Sequence, residues 1–439
     1  MILKTGIELF SRGDLAGAEK VFSAALKADP HSGIAAYLLG RAVFAQGRYA
    51  EAIAPLALAR AAGTESEEAW RHLGHCFAML NKETELLSLL KADDATPAWR
   101  FDLLFQILSN RMALADYDGV RRLAGRLPNP PEYRMAGHFW MGCLDEGGRQ
   151  VELFRDAIAA AMEFQAAGYD SPLIADRLLP ARGVEDDNFV RQGEKLSLSL
   201  SPLNWHSPLP EAPPARGVYL AGCDAAYFEF FAPTYVASLA KHPGRALHLH
   251  VVNPTEASFT IFETLRLEHG GAVNLRLTSE NRSFGEAVYY ACARFLRLPE
   301  LLAAYRAPLI VVDIDATFTP PMLSLPESVT VGDVALFYSD TPFPWLQRMA
   351  ELVLVRDSEE GKAFARLTAS YLDRKLEGPR DWTLDQAAIH SVLRSCARWR
   401  PGLRANDLRS VFGLTRDEAI ARQGSFEQKR MLRLATVKA

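Results

Sequence analysis

The chain has 439 residues, too many for one ordinary hydrophobic core, so at least two domains are expected. Its 53 acidic and 49 basic side chains are interspersed and leave a formal net charge of −4, which argues against a nucleic-acid protein that works by neutralising phosphates. Five cysteines (Cys76, Cys143, Cys223, Cys292 and Cys396) lie far apart without a CxxC pair, which fits reduced thiols better than a disulfide framework or a zinc site. No run approaches about 18 consecutive apolar residues. The opening MILKTGIELFSRGD lacks a sustained apolar core and a small-residue cleavage site, so a soluble, cytoplasmic protein without a transmembrane segment is expected.

Residues 1–200 read as helical repeat. Gly6, Gly40 and Gly74 are spaced by 34 residues, and other positions follow in phase: Ala18, Phe22, Ala25 and Pro30, then Ala52, Leu56 and Ala59, then Trp70, Leu73 and Phe77. Small residues let paired helices approach closely and large ones fill the gap to the next pair, with Arg12-Gly13-Asp14 and Gln46-Gly47-Arg48 as the intervening turns. The next glycine position holds Leu108, a degenerate unit, and the phase returns at Gly142. The pattern resembles the tetratricopeptide family and predicts about five helical hairpins to roughly residue 170, with capping helices to about 200. The resemblance implies a groove for a peptide or protein segment. Trp70, His72, His75 and Trp99 are read as core between hairpins in preference to groove contacts. Asp116-Tyr117-Asp118 falls inside this helical region and is not read as a metal site.

Residues 201–216, inside the proline-rich SPLNWHSPLPEAPPARG, read as an extended linker. From 217 to 425 short apolar runs alternate with amphipathic helices, the pattern of an α/β sheet. Strands are expected in VYLAGCD (Val218 to Asp224), ALHLHVVNP, AVNLRLTS, DVALFYSD and AELVLVR. Neither GxGxxG nor GxxxxGK[ST] occurs after the first strand, which excludes the usual dinucleotide and P-loop signatures.

The stretch APLIVVDIDATFTPP carries the chemistry. Leu309 to Val312 form the unbroken apolar run of a strand buried on both faces, and it ends in Asp313-Ile314-Asp315. Ligands of open α/β sheets bind beyond the carboxyl ends of the strands, and carboxylates there are hard ligands for Mg²⁺ or Mn²⁺ holding a diphosphate.

The series CDAAYFEFFAPTYVASLAKH, LHLHVVNP, ARFLRLPELL, IVVDIDATF and DWTLDQAAIHSVL resembles the GT-A glycosyltransferases, closest to glycosyltransferase family 8, over about residues 217 to 410. The implied fold class is α + α/β: an all-α solenoid followed by a Rossmann-like nucleotide-diphospho-sugar transferase domain. The match implies that Asp313 and Asp315 hold the metal and that Arg294 faces donor sugar or phosphate. It also implies that Ala221, Gly222, Asp224 and Tyr227 seat base and ribose. Asp385 and Gln386 fall at the family's catalytic position, Asp385 as a base toward the acceptor or as a sugar-orienting group.

Two segments depart from the family pattern. WRPGLRANDL stands where His-x-Gly-x-x-Lys is usual, and Gln347-Arg348-Met349-Ala350 replaces Asn-x-Gly. The basic tail over 426–439, FEQKRMLRLATVKA, reads as a solvated final helix in preference to a membrane contact. The expected function is metal-dependent transfer of a sugar from a nucleotide-sugar, a UDP-sugar first, to a protein or glycan acceptor chosen by the repeats. An interaction scaffold carrying an inactive transferase domain and a nucleotidyltransferase are the alternatives.

Overall fold

The computed structural model of the chain describes residues 2–64, 66–92, 95–145, 148–282, 287–378, 381–425 and 428–429. The chain divides into two compact units, Met1–Leu179 and Pro180–Ala439. No described helix is long and apolar enough to cross a membrane. All five cysteines are buried and unbridged.

The first unit is built of helices α1 (Ile2–Ser11), α2 (Leu15–Ala28), α3 (Gly33–Ala45), α4 (Tyr49–Ala61), α5 (Ser66–Met79), α6 (Glu83–Leu90), α7 (Pro97–Ala113), α8 (Tyr117–Ala124), α9 (Pro131–Leu144) and α10 (Gln150–Ala166). They pack in consecutive pairs, giving the five hairpins that the repeat period predicts. The glycines mark the close approaches: a Cβ at Gly40 would lie 2.6 Å from Leu56 of α4, and one at Gly142 would lie 2.7 Å from Phe154 of α10. Gly74 breaks the pattern by facing Leu103 of α7, in the next hairpin. Where Leu108 replaces the glycine, that side chain is fully buried and the partner α8 is only 8 residues long. The turns before α2 and α4 pass through Gly13 at φ +83° and Gly47 at φ +76°, a region side chains disfavour. Trp70 is core, 1% exposed, its indole donating to the Leu89 carbonyl at 3.3 Å.

The second unit carries strands β1 (Asn204–Trp205), β2 (Val218–Asp224), β3 (Arg245–Val252), β4 (Val273–Glu280), β5 (Leu309–Val312), β6 (Ala316–Thr317), β7 (Val334–Tyr338), β8 (Arg348–Val355), β9 (Ala405–Asp407) and β10 (Ala421–Arg422). Its helices are α11 (Asp187–Gln192), α12 (Ala225–Ala240), α13 (Glu256–His269), α14 (Ala287–Leu296), α15 (Leu298–Tyr305), α16 (Pro320–Ser328), α17 (Glu359–Lys375), α18 (Leu384–Trp399), α19 (Leu408–Phe412) and α20 (Arg416–Ala419). The main sheet runs β1-β4-β3-β2-β5-β8-β7-β9, while β6 and β10 form a separate ribbon.

The strands β4, β3, β2 and β5 are parallel, and β8 is antiparallel to both β5 and β7. Separate apolar clusters cover the two faces, so β2 and β5 are buried throughout and their sequences need no polar alternation. From β2 the chain goes to β3 and β4 on one side, then returns to β5 on the other. That reversal opens a crevice beyond the carboxyl ends of β2 and β5.

Two boundaries differ from expectation. Residues 180–200, expected as the solenoid's cap, belong to the second unit because they bond to α17 and α18. Lys375 Nζ donates to the Arg182 carbonyl at 2.7 Å, Arg374 donates to the Phe189 carbonyl at 2.7 Å, and Ser395 Oγ donates to Asp187 at 2.8 Å. The expected linker 201–216 contributes β1, whose Asn204 and Trp205 pair with Ser279 and Thr278 of β4. Of the expected tail 426–439, all but Gln428 and Lys429 lies outside the described residues.

Candidate active site

The crevice holds a cleft of about 460 Å³. That is within the usual range for small-ligand sites. Gly222, Asp224, Tyr227, Arg294, Asp313, Asp315, Asp385 and Gln386 all line it, so residues from four stretches of sequence converge there. Ala221 does not: its methyl is 1% exposed and packs in the core with Phe228 and Phe231. The reason is depth along the strand: the last three residues of β2, Gly222, Cys223 and Asp224, line the cleft, and Ala221 lies one residue further in.

Each group is positioned by its element. β5 stops at Asp313, whose N–H donates to the Glu351 carbonyl of β8 at 3.2 Å, and a turn brings Ala316 N–H back to the Asp313 carbonyl at 3.1 Å. Both acids of the pair thereby reach the cleft. Gly222 lines the cleft and also sets a packing distance: a Cβ there would meet the Arg294 backbone N at 3.0 Å, so its absence lets α14 lie against β2. Asp224 caps α12, accepting from Tyr227 N–H at 2.8 Å.

Arg294 is no surface charge. It is 6% exposed and bridges two acids, ion-paired with Asp313 and donating to Asp385 Oδ2 at 3.2 Å, with a further bond to the Ala350 carbonyl at 3.3 Å. Burial pushes the Asp313 carboxyl up to about 7 against the pull of Arg294, with Asp315, Glu351 and Asp385 adding to the rise. Its side chain keeps 29% exposure toward the cleft. Burial likewise raises Asp385, opposed by Arg294 and the Gln386 N–H, which donates to Asp385 Oδ1 at 2.8 Å.

Helix capping does not account for Asp385. Thr383 is the N-cap of α18 and makes no side-chain cap bond, while the Asp385 carboxylate is turned toward Arg294. The Gln386 side-chain oxygen is buried without a partner among the described residues, a feature that suits a polar ligand. His390 is buried, 7% exposed, and does not line the cleft.

A buried network anchors α14 from behind. Glu280 at the end of β4 is ion-paired with Arg297 and accepts from Tyr289 at 2.8 Å, and His250 Nε2 lies 3.2 Å away. Burial alone would raise its carboxyl, but the His250 bond, Arg297 and Tyr289 together hold it down at about 2.

The sequence reading missed the floor and one wall. Glu351 of β8 lines the cleft, ion-paired with Arg422 and with Arg416 at 3.0 Å. The wall is made by Arg422, Gly424 and Lys429. Here β10 pairs with β6, Gln423 N–H donates to the Asp315 carbonyl at 2.6 Å, and the Lys429 ammonium lies 2.5 Å from Asp315 Oδ2. So Lys429, assigned above to a solvated tail, belongs to the cleft. The WRPGLRANDL segment instead runs into β9, beyond β7 and away from the cleft. The available signal was Gly424, at φ +72°, between Arg422 and Lys429.

Two hard carboxylates at one mouth fit a divalent cation by donor chemistry. No set of three or more His, Cys, Asp or Glu side chains that could hold a metal occurs among the described residues, so phosphate oxygens and water would have to complete its shell.

Residues 3–67 match the family model described as tetratricopeptide repeat. No curated protein matches the chain. Among solved structures, the bifunctional glycosyltransferase WbbM is 17% identical, covering 53% of this chain and 45% of its own, with a TM-score of 0.32. The glycosyltransferase GlyE of Streptococcus pneumoniae TIGR4 is 13% identical over 48% of this chain and 55% of its own, TM-score 0.33. The galactosyltransferase LgtC, in complex with donor and acceptor sugar analogs, is 14% identical over 51% of this chain and 97% of its own, TM-score 0.32. The chain spans about half the length of the first solved structures it matches.

Proposed function

We propose that the second unit is a metal-dependent glycosyltransferase of the GT-A type, taking a sugar from a nucleotide-sugar, a UDP-sugar first. The observation that carries the reading is the acid pair Asp313 and Asp315. It stands at the end of a fully buried central strand, beside the reversal in strand order, in a cleft that also gathers Asp224, Tyr227, Arg294 and Asp385.

In this reading Asp313 and Asp315 would hold Mg²⁺ or Mn²⁺, which would supply positive charge for a leaving diphosphate. The protein does the rest. Tyr227 and the end of β2 border the nucleoside, and Gly222 keeps α14 close enough for Arg294 to face the reacting region. Arg294 holds Asp385 in place, and Asp385 then orients the donor sugar or takes a proton from the acceptor hydroxyl. Burial raises the Asp385 carboxyl, which makes it a better proton acceptor than an ordinary aspartate. Gln386 offers its unpartnered oxygen to a sugar hydroxyl.

The repeat unit supports a protein or glycan acceptor delivered by its groove, since the match over residues 3–67 is to a repeat whose stacked hairpins form concave surfaces. The test is calorimetric titration of the full chain with UDP, GDP and CDP, each with Mn²⁺ and with EDTA. Binding of one nucleotide that depends on metal supports the transferase and narrows the donor. Absence of binding by all of them overturns it and favours the interaction scaffold.

A further inference from the structure

We propose that Lys429 is a resident counter-ion of the acid pair: it holds Asp315 in the empty cleft and yields it only when a diphosphate arrives, so that nucleotide and divalent cation bind cooperatively. This rests on the reading of the cleft given above. The carboxylate best placed for a cation already carries one, with the Lys429 ammonium 2.5 Å from Asp315 Oδ2 and both side chains largely buried, at 14% and 17% exposure. Like charges a few ångströms apart in such a site repel strongly. A divalent ion therefore binds Asp315 more weakly while the ammonium remains on Oδ2.

The surroundings decide where the ammonium can go. Glu351 offers no alternative seat, because Arg416 and Arg422 already occupy it. The segment that carries the lysine is fixed to the acid loop on one side, through Gln423 N–H to the Asp315 carbonyl at 2.6 Å and Gln423 Nε2 to the Ala316 carbonyl at 2.7 Å. On the other side Tyr227 donates to the Lys429 carbonyl at 3.3 Å. The backbone can thus stay in place while the flexible side chain swings. A nucleoside diphosphate brings several anionic oxygens into the same cleft. The ammonium passes to them, Asp315 is released, and the released carboxylate and the phosphates together complete the seat for the metal. Each ligand then raises the affinity for the other by the same factor.

The experiment is Mn²⁺ binding to the full chain, read by paramagnetic resonance of the free ion and by calorimetry. It is run without nucleotide and with a saturating nucleoside diphosphate, for wild type, Lys429→Ala, Lys429→Gln and Lys429→Arg. Wild type should bind Mn²⁺ about tenfold or more tightly with nucleotide than without. Lys429→Ala and Lys429→Gln should bind Mn²⁺ alone about tenfold more tightly than wild type and show reduced coupling. Lys429→Arg should keep the coupling. If wild type needs nucleotide for Mn²⁺ but the neutral variants bind Mn²⁺ alone no better, the counter-ion role falls and the transferase reading stands. If no form binds Mn²⁺ with or without nucleotide, both fall. Circular dichroism of each variant checks that the fold is retained, and two neutral variants guard against a failure peculiar to one.

Discussion

The chain contains the Asp-x-Asp triplet twice, and the two copies have opposite fates. In the repeat unit Asp116 is spent on its own helix, accepting from Gly119 N–H at 2.9 Å as the cap of α8. Its neighbour Asp118 is 83% exposed and, among the described residues, pairs with Arg121, three residues on. In the α/β unit Asp313 and Asp315 end a strand, and their partners Arg294 and Lys429 come from α14 and from the far end of the chain. A helix start offers its acids unsatisfied N–H groups within one turn, so they are consumed locally. A strand end offers none, and leaves its acids to groups that the topology brings in.

The sharpest way to test that contrast is to remove the distant partner. Arg294→Leu leaves Asp313 and Asp385 facing each other across a cleft wall without their shared cation, and should cost the second unit about 3–5 kcal/mol in urea unfolding. Arg121→Ala removes the exposed partner of Asp118 and should cost under about 0.5 kcal/mol. Comparable losses from the two would mean that Arg294 does not work as a buried bridge.

Acid probes how α14 is held. Glu280 has a folded-state carboxyl at about 2, below the ordinary 4.5, so its bonds stabilise the fold fully above about pH 4.5 and lose that effect as pH falls toward 2. The contribution is at most about 3 kcal/mol. Denaturant midpoints of wild type and Glu280→Gln should differ most at neutral pH and converge as pH falls through this window. A gap that stays constant down to the acid end would show that the carboxylate charge is not what anchors the helix.

Next comes chemistry. In a transfer assay with the donor that calorimetry identifies, Asp315→Asn should lower kcat about a hundredfold, and Asp118→Asn should leave it unchanged. Loss in both, or in neither, would erase the distinction between the copies.

These partners explain what could be read in the sequence. The five hairpins were legible because each repeat meets the same neighbour at the same spacing, so Gly6, Gly40 and Gly142 record one packing event several times. The acid strand was legible because burial on both faces leaves an unbroken apolar run, Leu309 to Val312, before the charge. Ala221 was misplaced because a motif names a stretch, whereas only the last three residues of β2 reach the cleft and Ala221 stays in the core. Glu351, Arg422 and Lys429 were missed for a different reason. Their roles come from β10 pairing with β6, a two-residue ribbon too short to leave any periodic trace. Residues 180–200 looked like more solenoid because helical periodicity does not say which core a helix joins.

The smallest effect closes the comparison on the other copy. Asp116→Ala removes the acceptor for Gly119 N–H and should cost about 1 kcal/mol, the usual worth of an N-cap. Asp116 also lies 3.8 Å from the buried Arg111 Nε, so part of the loss could come from charge. Asp116→Ser separates the two, because a hydroxyl keeps the capping oxygen and drops the carboxylate. If capping dominates, the serine variant should recover all but a few tenths of a kcal/mol. A serine variant as unstable as the alanine one would assign the effect to Arg111 instead. Even then Asp116 would be held by its own hairpin, since Arg111 lies in α7 and Asp116 caps α8, and nucleotide binding should not change in either variant.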